Sequence, residues 1–162
     1  MCDYKIPVAL KTGSDIKAFF TQYSDSNNGV AYTAFTKADS APTDADLSGI
    51  ISAFGETKYL DADDKSVPFW VKDTTIYYYL EDSFSLLLAQ DSSGLFSDLD
   101  FVTIDVRDFD VSQVTDMTNM FSGCSNLTTI YAKRRLKYEK NYIEAGFCGF
   151  GCATFVVWKR IA

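Results

Sequence analysis

The stretch Phe109-Asp110-Val111-Ser112-Gln113-Val114-Thr115-Asp116-Met117-Thr118-Asn119-Met120-Phe121-Ser122-Gly123-Cys124-Ser125-Asn126-Leu127-Thr128-Thr129-Ile130 decides how the chain is read. Thr115 is a helix-cap candidate, with Asp116 in the positive first turn. Val114, Met117, Met120 and Phe121 follow at helical spacing, which predicts a short helix with one apolar face. Gly123 supplies a left-handed stop. After Ser125-Asn126, the β-branched residues between Leu127 and Ile130 predict a strand. A unit this small does not bury its own apolar face, so it needs a similar neighbour.

That neighbour lies upstream. Gly94-Leu95-Phe96-Ser97-Asp98-Leu99-Asp100-Phe101-Val102-Thr103-Ile104-Asp105 parallels the segment from Asn119 to Tyr131. Phe96 and Phe121 are 25 positions apart, and Ile104 and Ile130 are 26 apart, so the first copy is one residue shorter in its turn. A period in this range, roughly 20–29 residues, belongs to leucine-rich repeats.

The repeat resembles that of the BspA-like leucine-rich-repeat surface proteins of bacteria and some protists. The residues that carry the resemblance are Phe109, Asp110, Val114, Met117, Met120, Phe121, Gly123, Cys124, Leu127 and Ile130. The first copy departs from the pattern, with Leu95 for Met, Asp98 for Gly and Leu99 for Cys. Thr74 to Tyr79, and on to Phe96, is similar to the lead-in of such arrays, so the resemblance spans about residues 74–132. It implies a repeat solenoid, a cell-surface or extracellular location, and adhesion to a protein ligand on a host or neighbouring cell. The contact positions it implies are on the exposed face of the repeat strands: Thr103, Asp105, Thr128 and Tyr131.

The chain has 162 residues, 47% hydrophobic and 15% aromatic, which argues for a folded domain with a real core. Its net charge of −7 disfavours nucleic acid and anionic membranes as partners. The charge is uneven. Residues 1–132 hold 8 basic and 20 acidic side chains, a net −12, whereas residues 133–162 hold 7 and 2, a net +5. Glycine content and periodicity change at the same place. Residues 133–162 therefore read either as foreign to the repeat or as a divergent C-terminal cap ending in a strand from Thr154 to Trp158. The start, Met1-Cys2-Asp3-Tyr4-Lys5, lacks the charged and then apolar pattern of a secretory signal, and no run of 18 apolar residues occurs. The chain is then either cytosolic or a fragment of an exported protein, and the resemblance favours the fragment.

The rest of the chain predicts an α+β arrangement. Ile6 to Leu10 is an edge-strand candidate with Pro7 near its start. Ser14 is a cap candidate for a helix carrying Ile16, Phe19, Phe20 and Tyr23, and Asn28-Gly29 is a turn before a strand from Val30 to Phe35. Thr43 caps the clearest helix, whose stripe of Leu47, Ile50, Ile51 and Phe54 is read as core and which Gly55 ends. Strands follow at Lys58–Leu60, Val67–Val71, Thr75–Leu80 and Phe84–Ala89, as a small antiparallel sheet or the capping edge of a solenoid. The expected organisation is an α+β cap or companion module over residues 1–90, leucine-rich-repeat-like windings over 91–132, and the basic tail or cap over 133–162.

Chemistry is sparse. The chain has no histidine, which removes the Ser-His-Asp and Cys-His nucleophilic sites and the commonest metal ligand and neutral-pH base. Cys148-x-x-x-Cys152 lacks metal or redox spacing, and Cys124 reads as a buried packing residue. Asp61-Ala62-Asp63-Asp64-Lys65 begins like a calcium loop, but Ser66 and Lys72 replace the required Gly and Glu, so it reads as a solvated turn. No enzyme activity, cofactor or metal is expected. The expected function is protein binding or adhesion; the alternative is a purely structural cap or spacer without its own ligand.

Overall fold

The computed structural model describes residues 4–131 and the backbone strand at 157–158. The expectations placed on residues 133–156, including the Cys148/Cys152 pair and the first residues of the Thr154–Trp158 strand, lie outside the described residues. The described residues are mixed α and β, with two helices and two sheets. In order the elements are β1 (Ile6–Ala9), α1 (Gly13–Ser26), β2 (Ala34–Lys37), α2 (Asp44–Phe54), β3 (Phe69–Lys72), β4 (Thr75–Tyr78), β5 (Phe84–Leu87), β6 (Thr103–Asp105), β7 (Phe109–Asp110), β8 (Thr129–Tyr131) and β9 (Val157–Trp158).

One path is travelled three times. The chain runs from a strand of one sheet, through a helix or tight turns, to a strand of the other. The three passes are β1–α1–β2, β5–turns–β6 and β7–turns–β8. The first sheet has the order β1-β5-β7 and the second β3-β4-β2-β6-β8-β9. All neighbours are parallel except β3 and β4. The expectation of a small antiparallel sheet thus holds for one hairpin only. Each return to the same sheet crosses over the core, and a crossover of that kind delivers a parallel strand. Of the four strands expected over 58–89, Lys58–Leu60 makes only bridge contacts, through Tyr59 to Pro68.

Both helices start where local chemistry directs. Thr12, rather than the expected Ser14, caps α1, and its Oγ1 accepts from the Asp15 amide. Gly13 then forms the first turn, and its amide donates to the Asp91 carbonyl of the second pass. In α2 the expected cap is present: Thr43 and Asp46 form a reciprocal capping box, and Gly55 ends the helix at φ 80°. The α2 stripe is only partly core. Ile50 is fully buried, but Ile51 is 44% exposed, because α2 lies at the rim, against α1 and β3, and covers the core with one narrow face.

The short helix expected after Thr115 does not form, and the hydrogen bonds give the reason. The Met117, Asn119 and Phe121 carbonyls close successive local turns onto the amides of Met120, Ser122 and Cys124. The intervening carbonyls of Thr118, Met120 and Ser122 accept instead from Gly94, Phe96 and Asp98 of the preceding pass. A helix would bind all of these carbonyls internally, so stacking of the passes and helix formation exclude each other here. The left-handed residues recur at matching places. Gly94 (φ 65°) corresponds to Asn119 (φ 57°), and Asp98 (φ 57°) to Gly123 (φ 74°). Asp98 therefore takes the glycine-like conformation itself. Gly123 has little room for a side chain, since a Cβ there would reach the Asp98 carboxylate.

The core is continuous across all three passes. Phe35 on β2 stacks on Tyr78 (5.2 Å between ring centroids) and meets Phe96 edge-on (5.1 Å), with Phe20 and Phe109 at 6.1 Å. Phe96 in turn stacks on Phe121 at 5.7 Å, so the repeated Phe positions sit one above the other. Cys124 is fully buried and its Sγ donates to the Phe96 carbonyl at 2.9 Å. Tyr32, expected within a strand, precedes β2 and is buried with its hydroxyl donating to the Phe20 carbonyl at 2.6 Å.

The calcium-like turn is not solvated at its first residue. Asp61 is 1% exposed, and its carboxylate accepts from the amides of Lys65, Ser66 and Val67. It serves as an internal cap for the loop, while Asp63 and Asp64 point to solvent and pair with Lys65 and Lys11. Among the described residues no group of three or more metal-ligating side chains occurs.

Candidate interaction face

The six-stranded sheet has one face toward the core and one away from it. The inner row of Val71, Ile76, Phe35, Ile104 and Ile130 is level across β3, β4, β2, β6 and β8. All but Val71 are buried to 2% exposure or less. By the period-two alternation of strands, the residues on either side of this row face outward. One outward row holds Lys72, Thr75, Ala34, Thr103 and Thr129, and the other holds Trp70, Tyr77, Thr36, Asp105 and Tyr131. Thr36, Thr75, Tyr77, Thr103, Thr129 and Tyr131 are all half-buried. The result is a broad face of hydroxyls and aromatic rings.

Besides Lys72, the face carries a fixed ion pair. Asp105 was expected to be exposed but is only 7% exposed, because Arg107 folds over it. The Arg107 Nε donates to both carboxylate oxygens at 2.9 and 3.1 Å, and Nη2 donates to Oδ2. The Arg107 backbone amide also donates to Oδ1 at 3.1 Å, closing an Asx turn. The same guanidinium lies over the Tyr131 ring, 5.5 Å from its centroid. Carboxylate, guanidinium and phenol ring therefore hold one another in place at the end of β6 and β8, an arrangement that pre-orients Arg107. The hydrogen bonds that the guanidinium donates to Asp105 raise its pKa above the ordinary arginine value. Burial, and then the nearby carboxylates of Asp108 and Asp105, push the Tyr78 phenol behind this cluster well up from the ordinary tyrosine value, so it stays neutral.

The expected contact residues divide. Thr103, Asp105 and Tyr131 share the outer face of the sheet and are brought together by the β6–β8 pairing. Thr128 is exposed but lies one residue before β8, where its hydroxyl donates to the Val102 carbonyl at 3.2 Å. Thr129 is the residue level with Thr103. Of the repeat-signature residues, Phe109, Met117, Met120, Phe121, Cys124, Leu127 and Ile130 are buried, and Val114 is half-buried. Asp110 accepts from the Ser112 amide at 2.9 Å, and Gly123 occupies its left-handed turn. These residues build the passes and leave the outer face to others. Sequence reasoning missed Arg107 and Thr36. Arg107 was within reach, since Asp105-x-Arg107 is a local pair. Thr36 and Tyr77 join only through long-range pairing of β2 with β4 and β6.

Among the described residues, one hydroxyl–amine pair occurs outside this face. Lys17 Nζ donates to Ser97 Oγ at 2.7 Å and to Asp98 Oδ2 at 3.3 Å. A serine beside a lysine is a nucleophile–base arrangement in principle. Here Ser97 is 7% exposed, and the amides of Ser97 and Asp98 already donate to the Gly94 and Ser122 carbonyls. Neither of these two amides is free to hold an oxyanion. The contact ties α1 to the second pass. No helix among the described residues is long and apolar enough to cross a membrane. No family model matches the chain, and searches of curated proteins and of solved structures gave no match.

Proposed function

We propose that this chain is a non-enzymatic binding module, the beginning of a BspA-like leucine-rich-repeat solenoid that engages a protein ligand at a cell surface. The observation that carries the reading is the parallel pairing of Thr103–Asp105 with Thr129–Tyr131 at a 26-residue offset. It places equivalent positions of successive passes side by side on one outer face, which is how repeat proteins present a binding surface. Residues 91–131 are then the first windings, and the helices and the β3–β4 hairpin close their upstream side. Arg107 and Tyr131 are the anchors of choice, because Arg and Tyr dominate interface energetics when held rigidly. The missing histidine and the occupied amides around Ser97 support a binding role over catalysis.

The test is binding of the recombinant chain to immobilised host-cell surface and extracellular-matrix proteins, alongside Arg107→Ala, Tyr131→Ala and Thr103→Arg. Each anchor substitution should weaken binding by roughly tenfold to a hundredfold, the range for truncating a hot-spot side chain. Circular dichroism should stay unchanged. Absence of binding by the intact chain, or variants that bind as well as the parent, would refute this reading.

A second reading, a structural cap or spacer without its own ligand, is favoured by one observation. The upstream edges of both sheets are partly closed, by Ala62 against Ala9 at the end of β1 and by Lys58 against Phe69 of β3. Under that reading saturating substitution across the outer face leaves every interaction of the protein unchanged.

A further inference from the structure

We infer that Lys5 and Pro7 guard the free edge of β1 against strand addition by a second copy of the chain. The alternation of hydrogen bonds places the argument. The Ile6 amide donates to the Ser83 carbonyl and the Leu10 amide to the Leu87 carbonyl, so the even-numbered residues of this segment face β5. The odd-numbered residues, Lys5, Pro7, Ala9 and Lys11, direct their backbone groups outward. Beyond the middle of the strand this outward edge is covered. The Ala62 amide donates to the Ala9 carbonyl at 2.9 Å, and the Lys11 amide donates to the Leu60 carbonyl at 2.9 Å.

Among the described residues, no backbone hydrogen bond covers the outward edge from Tyr4 to Pro7. This stretch is apolar and exposed: Tyr4 is 84% and Ile6 52% exposed, the two largest values among the described large hydrophobic residues. A short apolar edge with outward amides is a template for pairing with another chain. Here the outward amide at position 7 is missing, because proline has none, and position 5 carries an exposed ammonium. Both devices are placed on the outward register. Pro7 disturbs no bond to β5, since those bonds come from Ile6, Val8 and Leu10. The occupant that an unguarded edge would take is the same edge of a second molecule. Two β1 strands related by a two-fold axis would pair antiparallel and bury Tyr4 and Ile6.

The test compares the full chain with Pro7→Val and with the double variant Lys5→Thr/Pro7→Val, by sedimentation and by amide exchange. The parent should sediment as a monomer. The double variant should double its apparent mass as concentration rises, and Pro7→Val alone should do so at higher concentration. In the dimer the new amide at position 7 should gain at least tenfold protection from exchange. Unchanged amides at Val8 and Leu10 show that the β1–β5 pairing survives the substitutions. A double variant that stays monomeric with those amides protected overturns the inference. So does association in which the amide at position 7 remains unprotected.

Discussion

Replacing Gly13 with alanine should cost the protein about 3 kcal/mol or more, at the upper end of what single substitutions do. Gly13 opens α1 and is buried where the helix meets the second pass. A Cβ at this position would lie 2.7 Å from the Ser92 carbonyl carbon and 2.8 Å from its oxygen, and closer still to the Ser93 carbonyl. These are backbone atoms, and no rotamer change moves them aside. Relief requires α1 to slide, which breaks the Gly13 amide bond to Asp91 and shifts Phe20, a fully buried residue. In a helix interior alanine is ordinarily the better residue by about 1 kcal/mol. The sign of the effect therefore separates this packing account from intrinsic propensity. Thermal unfolding measures it: a chain of this size loses roughly 2–4 °C of Tm per kcal/mol.

Phe35→Ala should be as damaging, at about 4 kcal/mol for a buried phenylalanine truncated in a packed core. Phe35 touches residues of every pass: Phe20 from the first, Phe96 from the second and Phe109 from the third, besides Tyr78 of the β3–β4 hairpin. The cavity left by its removal is walled by rings anchored in two sheets and a helix, which limits collapse. Denaturant unfolding with an unchanged m-value and a lowered midpoint is the expected result. A loss below about 1 kcal/mol would show that the passes are not packed around this ring.

What the sequence disclosed follows from how local each signal is. The α2 cap at Thr43, its stop at Gly55, and the left-handed turn at Gly123 all depend on neighbours within a few residues, and each is present in the structure. The repeat offset was equally legible, because Phe96 and Phe121 are matched letters in matched contexts, and their rings do stack. Helical spacing misled at Val114 to Phe121. The apolar period is the same for a helix and for a chain of tight turns, and only the destination of the Thr118, Met120 and Ser122 carbonyls distinguishes them. The strand and helix of the first pass were legible, but their kinship with the later passes was hidden. The turn of the first pass is a full α-helix of 14 residues, so β1–α1–β2 shares no letter pattern with the later passes, although it stacks against them in parallel. On the candidate face, Thr103 and Tyr131 could be placed from strand alternation within the repeat. Asp105 could be placed too, but its burial depends on Arg107 turning back over it. Thr36 and Tyr77 needed the order of the sheet, which is set by the whole core.

The parallel stacking of the three passes creates the proposed binding face, and proton NMR tests that stacking most directly. Cross-strand backbone contacts should join Phe35 with Ile104 and Ile104 with Ile130, along with slow exchange of the Phe96 and Asp98 amides that bind the following pass. Contacts of β6 and β8 with other partners, or in antiparallel register, would contradict the stacking and with it the proposed binding face.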